Sequence, residues 1–150
     1  MIIDISKNFS NKLISKVIKF VDTLDSTQKE KLFFSFSDQE RFNWHYTPIK
    51  KYGLALLEMS KNQQVLAFNI TKFLLSEMGH VTVDKIIELE KILYEWEKIQ
   101  GEKNNWSRDS GLYYFSIFGK PNNDGNPWGI RLNGHHVLVT INFSSKFISL

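Results

Sequence analysis

A chain of 150 residues, 42% hydrophobic and 14% aromatic, can bury one core and is too short and too unsegmented for two, so residues 1–150 are expected to form a single domain. Its 19 Lys and Arg against 16 Asp and Glu leave a net charge of +3. The positive charge sits mostly on scattered lysines, and Arg41, Arg108 and Arg131 are the only arginines, so the clustered bidentate donors of a nucleic-acid surface are missing. No cysteine is present, which excludes disulfides, thiolate metal sites and a cysteine nucleophile. No run approaches the ~20 apolar residues of a membrane span, and the expectation is a cytoplasmic protein.

In chain order, Leu13, Val17, Phe20 and Leu24 follow the three-four spacing of an amphipathic helix, with Lys12, Lys16 and Lys19 off the stripe. Thr27 with Glu30 is a capping-box pattern for a short second helix to about Phe34. Residues 35–53 carry no sustained period and read as an ordered irregular loop. Ser60 with Gln63 opens a third helix, expected to run to about Met78 and to stop at Gly79 in a left-handed conformation. Thr82 or Asp84 would cap a fourth, ending near Gly101. The aromatic run LYYFSIF, 112–118, reads as a strand buried on both faces. Asn133-Gly134, between two alternating runs, signals a two-residue hairpin loop. Helices first and antiparallel strands last predict an α+β domain, about four helices packed on a small C-terminal sheet.

That hairpin would place Leu132 opposite His135 and Arg131 opposite His136, with the two adjacent imidazoles on opposite faces. His135 would then sit at the rim of the core. His136 would share the outer face with Arg131, Thr140 and Asn142. On the fourth helix Ile86, Leu89, Ile92, Leu93, Trp96 and Ile99 fall in one arc, expected to face the core, with Glu90 and Glu97 at its edge, where partial desolvation would suit a carboxyl to proton transfer. The loop stretch RFNWHYTP concentrates Trp44, His45 and Tyr46, ring surface beside orienting polar groups, as pocket-lining loops do. Arg108 and Asp109 form a candidate ion pair.

Read in order, RFNWHYTP, GLALLEMSKNQ, LYYFSIFGKP and PWGIRLNGHH resemble an uncharacterised bacterial family known only as domain of unknown function 3500. The resemblance spans roughly Leu24 to Asn142 and implies no activity. It singles out the same places: Trp44 to Tyr46, the Glu90 helix, Trp128, and the hairpin from Arg131 to His136. Members read PWGWR and HHLSLN where this chain has PWGIR and HHVLVTIN, and they generally continue further, so the chain resembles an N-terminal portion or a shortened member.

Two functional expectations follow. In the first, a small-molecule or enzymatic site forms where the NWHY loop, the Glu90 helix and the Arg131/His136 hairpin face meet. His45, His136 and Glu90 would carry proton transfer, Arg131 would anchor an anion, and Trp44, Tyr46 and Trp128 would line the pocket. A metal ion would have to draw His45, His136 and a glutamate from distant segments, because no local ligand motif is present; no cofactor is implied. In the second, the chain is a non-catalytic structural or partner-binding protein, and the apolar strand VLVTINF offers an edge for a homo-oligomer.

Overall fold

The computed structural model describes residues 2–3, 7–101, 108–144 and 148–149. Helix α1, Lys7–Val21, buries Leu13, Val17 and Phe20 as its spacing predicts. Helix α2, Ser26–Leu32, is capped by Asp25, two residues before the expected cap Thr27. Asp25 accepts from the Gln28 backbone N–H at 2.8 Å and Gln28 Oε1 accepts from the Asp25 N–H at 3.1 Å. Gln28 wins the position because its amide also reaches the Glu58 carbonyl oxygen and Gln63 Oε1, at 2.7 and 3.1 Å, joining the α2 and α3 caps.

Helix α3, Lys61–Leu74, has the Ser60–Gln63 capping box that the sequence predicts, but it ends four residues short of Met78. Leu75 is extended and Ser76 opens α4, Glu77–Gln100, by accepting from the Gly79 N–H at 3.1 Å. Gly79 is therefore a first-turn residue and not a stop, and Thr82 and Asp84 lie inside the helix. Gly101, where α4 is expected to end, closes it in the left-handed conformation at φ 68°.

The strands are β1 (Ile2–Ile3), β2 (Phe33–Phe34), β3 (Leu54–Ala55), β4 (Tyr114–Phe118), β5 (Trp128–Gly134), β6 (Val137–Phe143) and β7 (Ile148–Ser149). They form one sheet in the order β1-β7-β6-β5-β4-β2, with β3 pairing β4 as well. The fold is α+β. The sheet is mixed rather than purely antiparallel, because β2 joins β4 in parallel. β6 is not its last strand, since β7 pairs with Asn142 and Phe143, and β1 pairs with β7.

Alternation along β4 and β5 separates two faces. Phe115, Ile117, Trp128, Ile130 and Leu132 meet Leu13, Val17, Phe20 and Ile70 of α1 and α3 in the core, each fully buried side chain contributing about 1.5–3 kcal/mol. A void of about 10 Å³ among Ile70, Leu74, Ile130 and Val139 is too small for a ligand. The opposite face, with Tyr114, Ser116, Phe118, Arg131 and Asn133, is covered by the irregular segment, which contains a short 3-10 turn at Gln39–Phe42. A solvated outer face would leave these side chains wet; instead all five are buried.

The hairpin corrects the predicted register. Gly134 pairs with Val137 and Arg131 with Thr140, so the loop is His135-His136 and lies two residues beyond Asn133-Gly134. The cause is steric. A Cβ at Gly134 would lie 2.1 Å from Cδ1 of Tyr113, so the glycine admits the tyrosine ring against the strand instead of supplying a turn. An even shift keeps every β6 side chain on its predicted face, and Val137, Ile141 and Phe143 are in the core. It does not keep the imidazoles apart. Both leave the strand, and their ring centroids are 4.0 Å from each other.

Candidate functional site

Helix α4 is rotated away from the face its apolar arc suggests, so that of the arc only Ile86 and Leu93 are partly buried. Val83, Ile87, Glu90 and Glu97 face the body, whereas Leu89, Ile92, Trp96 and Ile99 are exposed. Two specific pairings decide this. The Glu90 carboxylate, 2% exposed, hydrogen-bonds Nδ1 of His135 at the hairpin tip. Glu97 receives Nε of Arg108 at 3.0 Å and Nη2 at 2.6 Å, a forked charge-assisted contact. Arg108 thus pairs with Glu97 and not with Asp109, whose Oδ1 accepts from the Gly111 N–H at 2.7 Å.

The remaining guanidinium nitrogen of Arg108, Nη1, lies 3.2 Å from Nδ1 and 3.4 Å from Nε2 of His135. A guanidinium only donates, and an ionised carboxylate only accepts. One tautomer satisfies both neighbours: Nδ1–H donates to Glu90 and Nε2 accepts from Arg108. Tyr113 completes the cluster, its hydroxyl donating to the His135 carbonyl oxygen at 3.1 Å. Burial first, and then the charge and hydrogen bonding of Glu90, push its pKa well above the usual tyrosine value, against the opposing charge of Arg108. Glu90 Oε2 is buried without a hydrogen bond, so the His135 carbonyl and the Glu90 carboxylate compete for one phenolic proton.

His136 turns outward from this buried cluster. Its φ of 55° is the only positive value at a non-glycine among the described residues, and its N–H donates to the Tyr46 carbonyl oxygen at 3.0 Å. The imidazole stacks on the Tyr46 ring at 6.1 Å, and Trp44 lies 6.4 Å beyond. A row of rings, Trp44, Tyr46, His136 and His135, therefore runs from solvent to the Glu90 carboxylate. A positive φ is what a two-residue hairpin loop requires, so this conformation belongs to the turn.

Of the residues singled out by sequence, the fold brings Trp44, Tyr46, His136 and Glu90 into this row. His45 is exposed. Trp128 lies on the helix-facing side of the sheet, stacked on Phe143 at 4.3 Å. Arg131 lies on the other face, wholly buried. It donates to the Glu40 carboxylate at 2.7 Å, to the Asn43 carbonyl oxygen at 3.1 Å and to that of Glu40, so it pins the loop that carries Trp44 and Tyr46. Lys51 adds a second tie, donating to the Thr47 carbonyl oxygen at 2.6 Å; burial, and then the charge of Arg131, lower its pKa. Sequence reasoning missed His135, Arg108 and Tyr113 as members. The rotation of α4 was the signal that could have found them, and spacing alone does not set it. Among the described residues no three histidine or carboxylate side chains converge on a point where a metal could sit, and no helix is long and apolar enough to cross a membrane.

A family model described as a protein of unknown function, DUF3500, matches residues 7–150, nearly the whole chain. The chain belongs to the DUF3500 family. The motifs by which it resembles that family contribute Trp44, Tyr46, Tyr113, His135 and His136 to the candidate site, while Glu90 and Glu97 come from α4 and Arg108 follows it in sequence. No curated protein and no solved structure matches this DUF3500 chain.

Proposed function

We propose that the protein binds a small planar molecule carrying an acidic group, with its ring against Tyr46 and His136 and its anion held by Arg108, and that His135 accepts or returns a proton there. The observation that carries this reading is the continuous path from the exposed Tyr46–His136 stack to the Glu90–His135 hydrogen bond. Aromatic faces supply stacking area. A guanidinium nitrogen directed at an imidazole can exchange that partner for a ligand carboxylate without releasing Glu97, which its other two nitrogens hold. Glu90 keeps Nδ1 protonated, which leaves Nε2 as the basic atom once Arg108 turns to the ligand.

On this reading the protein is cytoplasmic, and its partner is a soluble small molecule rather than a nucleic acid or a lipid, in keeping with its evenly mixed charges. The test uses benzoate, nicotinate and indole-3-acetate as probes, with their uncharged amides as controls, followed by two-dimensional amide NMR. The acids should shift the Tyr46, His135 and His136 signals. Folded Tyr46→Ala should lose that response, and Arg108→Lys should lose the preference for acid over amide. Equal response to acids and amides, or shifts that survive Tyr46→Ala, would refute the reading.

A further inference from the structure

Helix α4 turns its two buried carboxylates inward and leaves an apolar stripe outside. Leu89, Ile92, Trp96 and Ile99 are 47, 63, 52 and 78% exposed. Apolar side chains exposed singly need no explanation, but these four recur at spacings of three, four and three. That is the seam of a helix packed along another helix. Ile86 and Leu93, partly buried, widen it on the side toward the body. On the other side run Glu88, Lys91, Glu95 and Lys98, all exposed and alternating in sign.

We infer that α4 is the interface of a two-fold homodimer in which the helices of two copies lie antiparallel, Leu89 against Ile99 of the second copy and Ile92 against Trp96 of the second copy. Charge selects this occupant and this direction. With the stripes so aligned, Glu88 lies two residues along the axis from Lys98 of the second copy, and Glu95 two residues from Lys91 of the second copy, offsets of about 3 Å that long side chains span. Every acid on the flank then faces a base. A parallel two-fold pair would instead set this charged flank against the opposite flank of the second copy, that of Ile86 and Leu93, and leave its charges without partners. A two-fold axis also requires one patch to complement itself, and this patch does. Four partly exposed side chains and the lysine stems make an interface at the small end of the usual range, so the dimer is reversible. The strand edge of β6 is a poorer surface, because β7 already occupies its Asn142–Phe143 end.

The absence of cysteine makes the register directly measurable. Sedimentation velocity of the full chain should show a monomer–dimer equilibrium moving with concentration through the micromolar range. Ile92→Glu with Trp96→Glu should leave only monomer with an unchanged circular dichroism spectrum. When Ile92→Cys and Trp96→Cys chains are mixed and oxidised, the mixed disulfide should form several-fold faster than either homodisulfide. Lys91→Glu should weaken the dimer, and adding Glu95→Lys should restore it. A strict monomer at every concentration, a dimer that survives Ile92→Glu with Trp96→Glu, or homodisulfides that outpace the mixed one would each overturn the proposal.

Discussion

Glu90 and His135 meet 45 residues apart in sequence, a carboxylate that is almost wholly buried and an imidazole that reaches it only because the hairpin turns at the histidine pair. The pair ties the inward face of α4 to the hairpin tip, whose position the contact of Gly134 with Tyr113 sets. Its members are therefore coupled in stability as well as in chemistry.

Removing the imidazole strands a carboxylate in the interior. His135→Ala is expected to destabilise the fold by about 1.5–3 kcal/mol, the loss of a hydrogen bond to a buried charged group. Glu90→Gln in that background should recover part of the loss, because the amide is uncharged. Urea unfolding of the wild type, both single variants and the double variant gives the coupling energy. Strictly additive losses would show that the two side chains do not share an interaction.

Gly134 is predicted to be intolerant for a reason unrelated to turns. Its Cβ would enter the Tyr113 ring, at 2.1 and 2.5 Å from two ring carbons, so Gly134→Ala must displace the ring or bend the strand, at about 1–3 kcal/mol. In a Tyr113→Leu background the same substitution should cost clearly less, as read from the urea midpoint. An equal cost in both backgrounds would locate the constraint in the backbone and not in the ring.

Alkaline stability follows from Tyr113. Its pKa is raised above the ordinary 10.0, so the folded protein keeps the phenolic proton at pH values where the unfolded chain has lost it. The contribution of Tyr113 to stability is constant below pH 10 and falls above it, by at most about 1.4 kcal/mol per pH unit. Tyr113→Phe should be less stable than wild type near neutrality, by about 1 kcal/mol for the lost hydrogen bond to His135, and the two unfolding curves should converge as pH rises beyond 10. A constant gap across that range would mean that the phenol ionises equally well in the folded state.

Much of the fold was legible because it depends on local chemistry. The α1 stripe, the Ser60–Gln63 box, the Gly101 stop and the doubly buried β4 each follow from residues within one or two turns of each other. The break between α3 and α4 was misplaced because Gly79 draws the eye, while the residues that end one helix and start the next are the extended Leu75 and the capping Ser76. For the same reason Asn133-Gly134 looks like a turn. Its glycine is needed for a contact with Tyr113, 21 positions away in sequence, which no local pattern records.

The candidate site divides in the same way. Tyr46, His136 and Glu90 could be singled out from composition and position, but His135, Arg108 and Tyr113 could not, and Arg131 proved to anchor the loop from beneath. By itself the sequence determined the four helices, the strands β4, β5 and β6 and the inward set of the hairpin strands, since periodicity and capping act over a few residues, whereas the two-residue strands β1, β2, β3 and β7 exist only by pairing across the sheet. Only the tertiary structure decided which face of α4 turns inward and which two residues close the hairpin. A buried carboxylate takes its place from a distant partner, and a glycine from the ring that lies on it.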